Sequence, residues 1–327
     1  MANQVRIGFI GCGGISHGHV RNIAAIPEAR IVALCDTDPT RIKVMKAGHP
    51  QTKDLPEFDD YKKMLDALEM DAVEIHTPHT LHFEQIMASL DKGLHVLTEK
   101  PMVCSVSHAK QVVEKVEQTG KVLLVSYQRH FQGQFRYMRD VIQSGQLGEV
   151  QFVSALQCQD WKRSQQGRWR LDPKLSGGGQ LNDSGSHLVD ILLWITGLRV
   201  REVSAFIENR GARVDIDSAV AIRFEKNAVG TLSVLGASPG WRESLTIWGS
   251  KGVLSLGPGP LTLQTYSGPA QDLTAKAKDR GNPDKNFIDA IQGRAENAAP
   301  GECGLRVIEL TEAAWRSAAT GQTVTVR

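Results

Sequence analysis

The chain of 327 residues is poor in aromatics, 6% of the total, and carries five cysteines: Cys12, Cys35, Cys104, Cys158 and Cys303. They are odd in number, widely spaced and free of any C-x-x-C pair, which argues against a disulfide framework and predicts reduced, mostly packed thiols. No uncharged apolar run approaches the ~20 residues that a membrane-spanning helix needs. The opening, Met-Ala-Asn-Gln-Val-Arg, passes into a strand-like run with no signal-peptide hydrophobic region, so a cytoplasmic protein is expected. Neither charge sign dominates. Lys and Arg number 38 against 36 Asp and Glu, interspersed and without a basic run, so neither nucleic acid nor membrane is expected as a partner. Internal repeats and low-complexity linkers are lacking as well.

What is present is organised in two halves, as the length predicts for a chain larger than a single core. Residues 1–126 alternate apolar strand-like runs with helical patterns, which predicts an α/β domain with a doubly wound parallel sheet. Ala72–His76, His95–Thr98 and Lys121–Val125 read as strands. Leu81–Asp91 and Ser107–Thr119 read as the helices between them. In residues 127–327 a helical pattern at Phe135–Ser144 precedes consecutive alternating segments, Ser218–Phe224, Val229–Leu235 and Glu243–Trp248. These predict an antiparallel sheet with one buried face. An amphipathic helix over Gly304–Ala319 closes the chain.

The first run, Val5–Ile10, opens into Gly11-Cys12-Gly13-Gly14-Ile15-Ser16 and a helical pattern, the context of a dinucleotide-binding turn. Gly11 permits the tight turn, Gly13 admits a pyrophosphate against backbone N–H groups, and the helix points its positive end at the phosphates. Ser16 stands where a third glycine is usual and is small enough for the close helix–strand contact. A second strand, Ile31–Cys35, ends at Asp36, 20 residues beyond Ser16, where a carboxylate binds ribose hydroxyls. That carboxylate repels the extra phosphate of NADP, so NAD is the expected cofactor. Arg41, five residues on, is the nearest cation that could serve NADP instead.

Two further features carry chemistry. Thr98-Glu99-Lys100-Pro101 falls at the carboxyl end of a parallel strand, where ligands gather in open α/β sheets, and an ammonium at Lys100 could stabilise a developing alkoxide. Asp183 and His187 lie four apart after the glycine run that starts at Gly177, on one face if the segment is helical. An imidazole beside a carboxylate is a natural general base for an alcohol. Trp161, Arg168 and Trp169, with neighbouring cations and amides, read as a wall for a sugar ring, or equally as a solvated loop with two anchoring indoles. His76, His79 and His82 recur every third residue, but no carboxylate or thiol spacing accompanies them, and no metal is expected.

Across essentially its whole length the sequence resembles the Gfo/Idh/MocA oxidoreductases. The resemblance rests on Gly11–Ser16, Asp36, Thr77-Pro78 with His82, Glu99-Lys100-Pro101, Gly177–Trp194, Asn286–Ile291 and the helix at Gly304. It implies an amino-terminal Rossmann domain and a carboxyl-terminal α/β domain built on a large open sheet. It implies cofactor contacts at Thr77, Pro78, His82, Glu99 and Lys100, and catalysis by Lys100, Asp183 and His187. It also brings Tyr127, Arg129 and His130 toward the substrate cleft, and implies homodimers or homotetramers assembled through the open sheets. His79 departs from the asparagine more usual after Thr-Pro. The expected activity is hydride transfer from a secondary alcohol of a sugar or cyclic polyol to NAD. Two other readings stay open: a redox-neutral glycoside hydrolase or lyase that oxidises its sugar transiently on a held NAD, and a non-catalytic NAD-binding sensor.

Overall fold

The computed structural model describes residues 4–326. The chain folds into two compact units. The first takes in residues up to Val103, Ser107–Tyr127 and Gly281–Gly304, and the second Cys104–Val106, Gln128–Arg280 and the residues from Leu305 onward. The change of unit after Tyr127 lies one residue from the boundary expected at 126/127. The segment Gly281–Gly304, grouped with the second half in sequence, belongs to the first unit.

The first unit is built on six strands: β1 (Val5–Ile10), β2 (Ala29–Cys35), β3 (Glu57–Phe58), β4 (Ala72–Ile75), β5 (His95–Thr98) and β6 (Leu123–Val125). Their order is β3-β2-β1-β4-β5-β6, every pair parallel. Parallel strands need crossovers, and five helices supply them: α1 (Ser16–Ala24), α2 (Pro39–Gly48), α3 (Tyr61–Ala67), α4 (His82–Asp91) and α5 (Val106–Thr119). Helices on both faces leave the central strands buried throughout, which is why all four residues of β4 are buried. Local chemistry starts the helices: Asp38 caps α2 by accepting the N–H of Thr40, with Pro39 at the first helical position. The order reverses between β1 and β4, so the crevice for a ligand lies past the carboxyl ends of those two strands.

The second unit carries a nine-stranded sheet: β7 (Val150–Cys158), β8 (Val200–Glu208), β9 (Asp217–Phe224), β10 (Val229–Leu235), β11 (Arg242–Gly249), β12 (Gly252–Leu256), β13 (Thr262–Thr265), β14 (Gln271–Asp272) and β15 (Val324–Thr325). The order is β14-β13-β12-β11-β7-β10-β9-β8-β15, antiparallel except for the parallel pair β7–β10. One register row, Ala205, Val220, Leu232, Ala155 and Leu245, is buried. The adjacent row begins at Phe206, 85% exposed, and passes through Ala219, Ser233, Leu156 and Ser244 on the opposite face. Phe152 and Trp248 meet edge to face on that open side, ring centroids 5.5 Å apart. The helices of this unit are α6 (Gly133–Gln143), α7 (Trp161–Ser164), α8 (Pro173–Ser176), α9 (Gly185–Thr196) and, from Leu305 onward, the closing helix Gly301–Thr320. Among the described residues, no helix is long and apolar enough to cross a membrane.

Candidate functional site

In the first unit the glycine turn joins β1 to α1. Gly11 has φ +96° and donates its N–H to Cys35 O at 2.8 Å; a Cβ there would meet the His76 carbonyl carbon at 2.8 Å. Only glycine fits both demands. Gly13 and Gly14 open outward, and a Cβ on Gly14 would meet nothing within 4 Å, so the turn leaves room at the head of α1. Ser16 is fully buried and its Oγ donates to Gly13 O at 2.6 Å, closing the turn from within. Ile15, the residue before the helix, is exposed.

Asp36 follows β2 and faces this turn. Its Oδ2 accepts the Cys12 N–H at 2.8 Å and its Oδ1 the Asp38 N–H at 2.9 Å. A carboxylate has about four acceptor positions, so two remain for ribose hydroxyls. The guanidinium of Arg41, 49% exposed, stands 3.9 Å from Asp36 Oδ2. Cys12 and Cys35 are buried beside this carboxylate; burial first, then Asp36, pushes each thiol up to about 12, so both stay protonated.

Past β4, Thr77 Oγ1 donates to Gln85 Oε1 at 2.6 Å, and Pro78 leads into a turn where His79 is buried. His82, at the start of α4, is fully buried and bridges Pro101 O (2.8 Å) and Thr77 O (2.9 Å) with its two ring nitrogens. Burial, then neighbouring His79, pushes its pKa down to about 4; the neutral ring has one N–H, so it donates to one of the two carbonyls at a time. Glu99 follows β5; its Oε2 accepts the Lys100 N–H at 3.2 Å and its Oε1 lies 3.1 Å from His19 Nε2. Lys100 is half-buried and the Lys100–Pro101 peptide is cis.

In the second unit Asp183 precedes α9 rather than lying within it, in the turn Gln180–Ser184. The turn is helical in sense, with Asp183 N–H donating to Gly179 O at 3.0 Å. The glycine run serves protein packing. A Cβ on Gly179 would sit 1.9 Å from Asp215 O, and one on Gly178 2.4 Å from the Trp315 ring. Asp215, which sequence reading missed, ties the run down: its Oδ1 accepts the Gly179 N–H and its Oδ2 the Leu181 N–H, both at 2.8 Å.

Asp183 Oδ2 accepts the Trp161 indole N–H at 2.7 Å and the Arg170 Nε–H at 2.9 Å. Trp161 is 3% exposed and packs on Val214 and Ile216, so of the two readings of this segment its ring fits the anchoring indole. Trp169 is half-buried under the Arg170 guanidinium, 4.4 Å from its ring centroid, and Arg168 is exposed. Tyr127 is fully buried. His130 is fully buried too, stacked on Trp194 with Nε2 2.8 Å from Asp190 Oδ2, which makes it a packing residue of α9.

His187, half-buried on the first turn of α9, opens into a cleft of about 680 Å³. The wall includes Gln128, Gln132, Arg129 and Glu243, the last two joined in a fork at 2.6 and 2.7 Å. Trp241, 58% exposed, is the indole at this cleft. Of the substrate residues expected from sequence, His187 and Arg129 line this cleft, and Asp183 is held behind the helix start by Trp161 and Arg170. Glu243 and Trp241 were not singled out; the strand β11 and the loop before it carry no local motif that would have done so.

Residues 5–127 match the model of an oxidoreductase family with an NAD-binding Rossmann fold, and residues 135–255 match the GFO/IDH/MocA C-terminal domain. The inositol 2-dehydrogenase of Rhizobium meliloti is 25% identical over 98% of this chain and 99% of its own length. The D-glucoside 3-dehydrogenase of Escherichia coli is 23% identical over 99% of this chain and 98% of its own. Among solved structures, the WlbA dehydrogenase of Bordetella pertussis, in complex with NADH and UDP-GlcNAcA, superposes with a TM-score of 0.89 at 26% identity, covering 99% of this chain and 98% of that one.

Proposed function

Because the chain belongs to the GFO/IDH/MocA family of oxidoreductases, we propose that it is an NAD-dependent dehydrogenase that oxidises a secondary alcohol of a sugar or cyclic polyol. The amino-terminal unit is an NAD-binding Rossmann domain. The open floor at Gly13 and Gly14, the head of α1 and the two remaining acceptor positions of Asp36 fit a dinucleotide. Gly11, Ile15 and Ser16 shape the turn, Thr77, Pro78 and His82 border the crevice, and Glu99 and Lys100 close it. When bound, NAD supplies the hydride acceptor.

The observation that carries the reading is His187, an imidazole opening into a cleft walled by amides, an arginine–carboxylate fork and an indole. Such a wall suits a ligand with several hydroxyls and a ring face. His187 takes the hydroxyl proton as the alcohol becomes a ketone, and returns it in the reverse reaction. Asp183, its carboxylate fixed by Trp161 and Arg170, steadies the imidazolium or binds a neighbouring hydroxyl. Lys100 offers its ammonium to the alkoxide. The inositol and glucoside dehydrogenases among the relatives support the substrate class. The open sheet face bearing Phe206, Phe152 and Trp248 supports assembly into a homodimer or homotetramer.

The test is NADH formation by the purified protein across inositols, aldoses, anhydro sugars and glycosides, with His187→Ala beside it. Activity that the variant loses supports the reading. Product formed without net NADH, on a cofactor that survives dialysis, moves the assignment to the redox-neutral reaction.

A further inference from the structure

Glu74 and His76 are two apart along the end of β4, so an extended backbone puts both side chains on one face. That face is inside the first unit. Both carboxylate oxygens of Glu74 and both ring nitrogens of His76 are buried without a hydrogen-bond partner. Four such atoms together are rare in a folded protein, because each costs ~1–3 kcal/mol when it is desolvated and unpaired. Something in the native protein satisfies them.

His19 completes the cluster from the third residue beyond Ser16 on α1. Glu74 Oε2 lies 3.6 Å from His19 Nδ1 and 3.5 Å from His76 Nε2, and the His19 and His76 rings lie 4.4 Å apart. Those separations are too long for hydrogen bonds. They approach the edge of a tetrahedron, ~3.3–3.4 Å, for metal–ligand bonds of ~2.0–2.1 Å. One ligand atom from each of the three residues falls within 4.8 Å of the others. Asp284, on the Pro283–Ile291 helix, sets its Oδ1 2.7 Å from His19 Nδ1.

We propose that His19, Glu74 and His76 bind a divalent transition metal of the zinc type inside the nucleotide-binding unit, with Asp284, here hydrogen-bonded to His19 Nδ1, turning onto the ion as the fourth donor. The donor set, two imidazoles and two carboxylates, is one that zinc accepts in tetrahedral geometry. His19 ligates through Nδ1, and its Nε2–H donates to Glu99 Oε1, at 3.1 Å. A carboxylate on the far nitrogen is the usual outer partner of a metal-bound imidazole. Asn22 Nδ2 donates to Asp284 Oδ2 at 2.8 Å and steadies that carboxylate in the same way. The ion ties α1, β4 and the Pro283–Ile291 helix together beneath Glu99 and Lys100, so its role is structural.

The experiment uses the full chain without a histidine tag, loaded with zinc chloride, desalted, and assayed for metal by mass spectrometry. The wild type should retain about one zinc per chain. Glu74→Gln, which keeps the shape of the side chain, and His76→Phe, which fills the same space with an apolar ring, should each hold less than about a fifth as much. Zinc should raise the melting temperature of the wild type and leave that of Glu74→Gln unmoved. A folded wild type that retains less than about a fifth of an equivalent overturns the proposal, as do variants that keep their zinc.

Discussion

The Trp161 indole N–H donates to Asp183 Oδ2 at 2.7 Å, and the same oxygen takes the Arg170 Nε–H at 2.9 Å. A core indole and a half-exposed guanidinium thus hold the carboxylate that stands four residues before His187. Trp161→Phe keeps a smaller aromatic ring and removes the donor. A hydrogen bond to a charged group is worth ~1.5–3 kcal/mol, so kcat should fall about tenfold or more and its pH profile should shift, with KM changed little. A lowered melting temperature with an unmoved pH profile would limit Trp161 to packing.

His187→Ala should lower kcat by roughly 10²–10⁴ if the imidazole is the base. NAD affinity, measured by quenching of tryptophan fluorescence, should stay near the wild-type value because Asp36 and the glycine turn are untouched. Turnover close to normal would take the acid–base role from His187.

Asp36→Ser removes the repulsion toward a 2′-phosphate and leaves Arg41, now 3.9 Å from the carboxylate, able to pair with one. The ratio of kcat/KM for NAD over NADP should drop by about ten- to a hundredfold, the worth of one or two charge-assisted hydrogen bonds. An unchanged ratio would mean that the ribose is read elsewhere.

Acid should destabilise the first unit before its carboxylates titrate. His82 is pushed from an unfolded value near 6.5 down to about 4, so between those values the unfolded chain binds the proton and the native state does not. Its stabilisation is complete above pH ~6.5 and is lost as pH falls toward 4, at ~1.4 kcal/mol per unit. His95 is pushed down to about 4 by burial and then Lys121, and its Nδ1 accepts the Val122 N–H at 2.9 Å, a bond that protonation breaks, so it acts in the same direction. Urea unfolding at pH 7 and pH 4.5 should show the loss, and His82→Asn should lessen the difference. Equal slopes in variant and wild type would remove His82 as the cause.

Gly179→Ala places a methyl 1.9 Å from Asp215 O, at a backbone that cannot yield without breaking the Gly179 and Leu181 hydrogen bonds to the Asp215 carboxylate. A loss of about 3 kcal/mol is expected in thermal unfolding. A melting temperature within a degree or two of wild type would show that the loop yields freely.

Much of the fold is legible because local chemistry and tertiary burial agree. Val5–Ile10, the turn at Gly11 and Asp36 after β2 are contiguous signals, and the structure joins them by hydrogen bonds between neighbours in sequence or across one strand pair. The central strand β7 was not read as a strand, because Gln151, Ser154 and Gln157 interrupt its apolar residues and its partners come from far along the chain. The sequence left Trp161 open between a sugar wall and an anchoring indole for a similar reason. Indoles near cations resemble a sugar wall, and only Val214 and Ile216, more than fifty residues later, reveal that the ring is inside. His19, Glu74, His76 and Asp284 have no common spacing at all; three elements of the fold bring them together.

Residues 281–304 give the first unit Asp284, the partner of His19, and Ala299, whose carbonyl accepts the Val125 N–H at the edge of β6. A ribosome that has released residue 127 must add 177 more before this segment is free. At ~5–20 residues per second that is about 9–35 seconds, during which the nascent Rossmann sheet lacks its outer covering and the Asp284 partner of His19. The portion that begins first is therefore completed almost last, and holding chaperones have their longest exposure to it during synthesis.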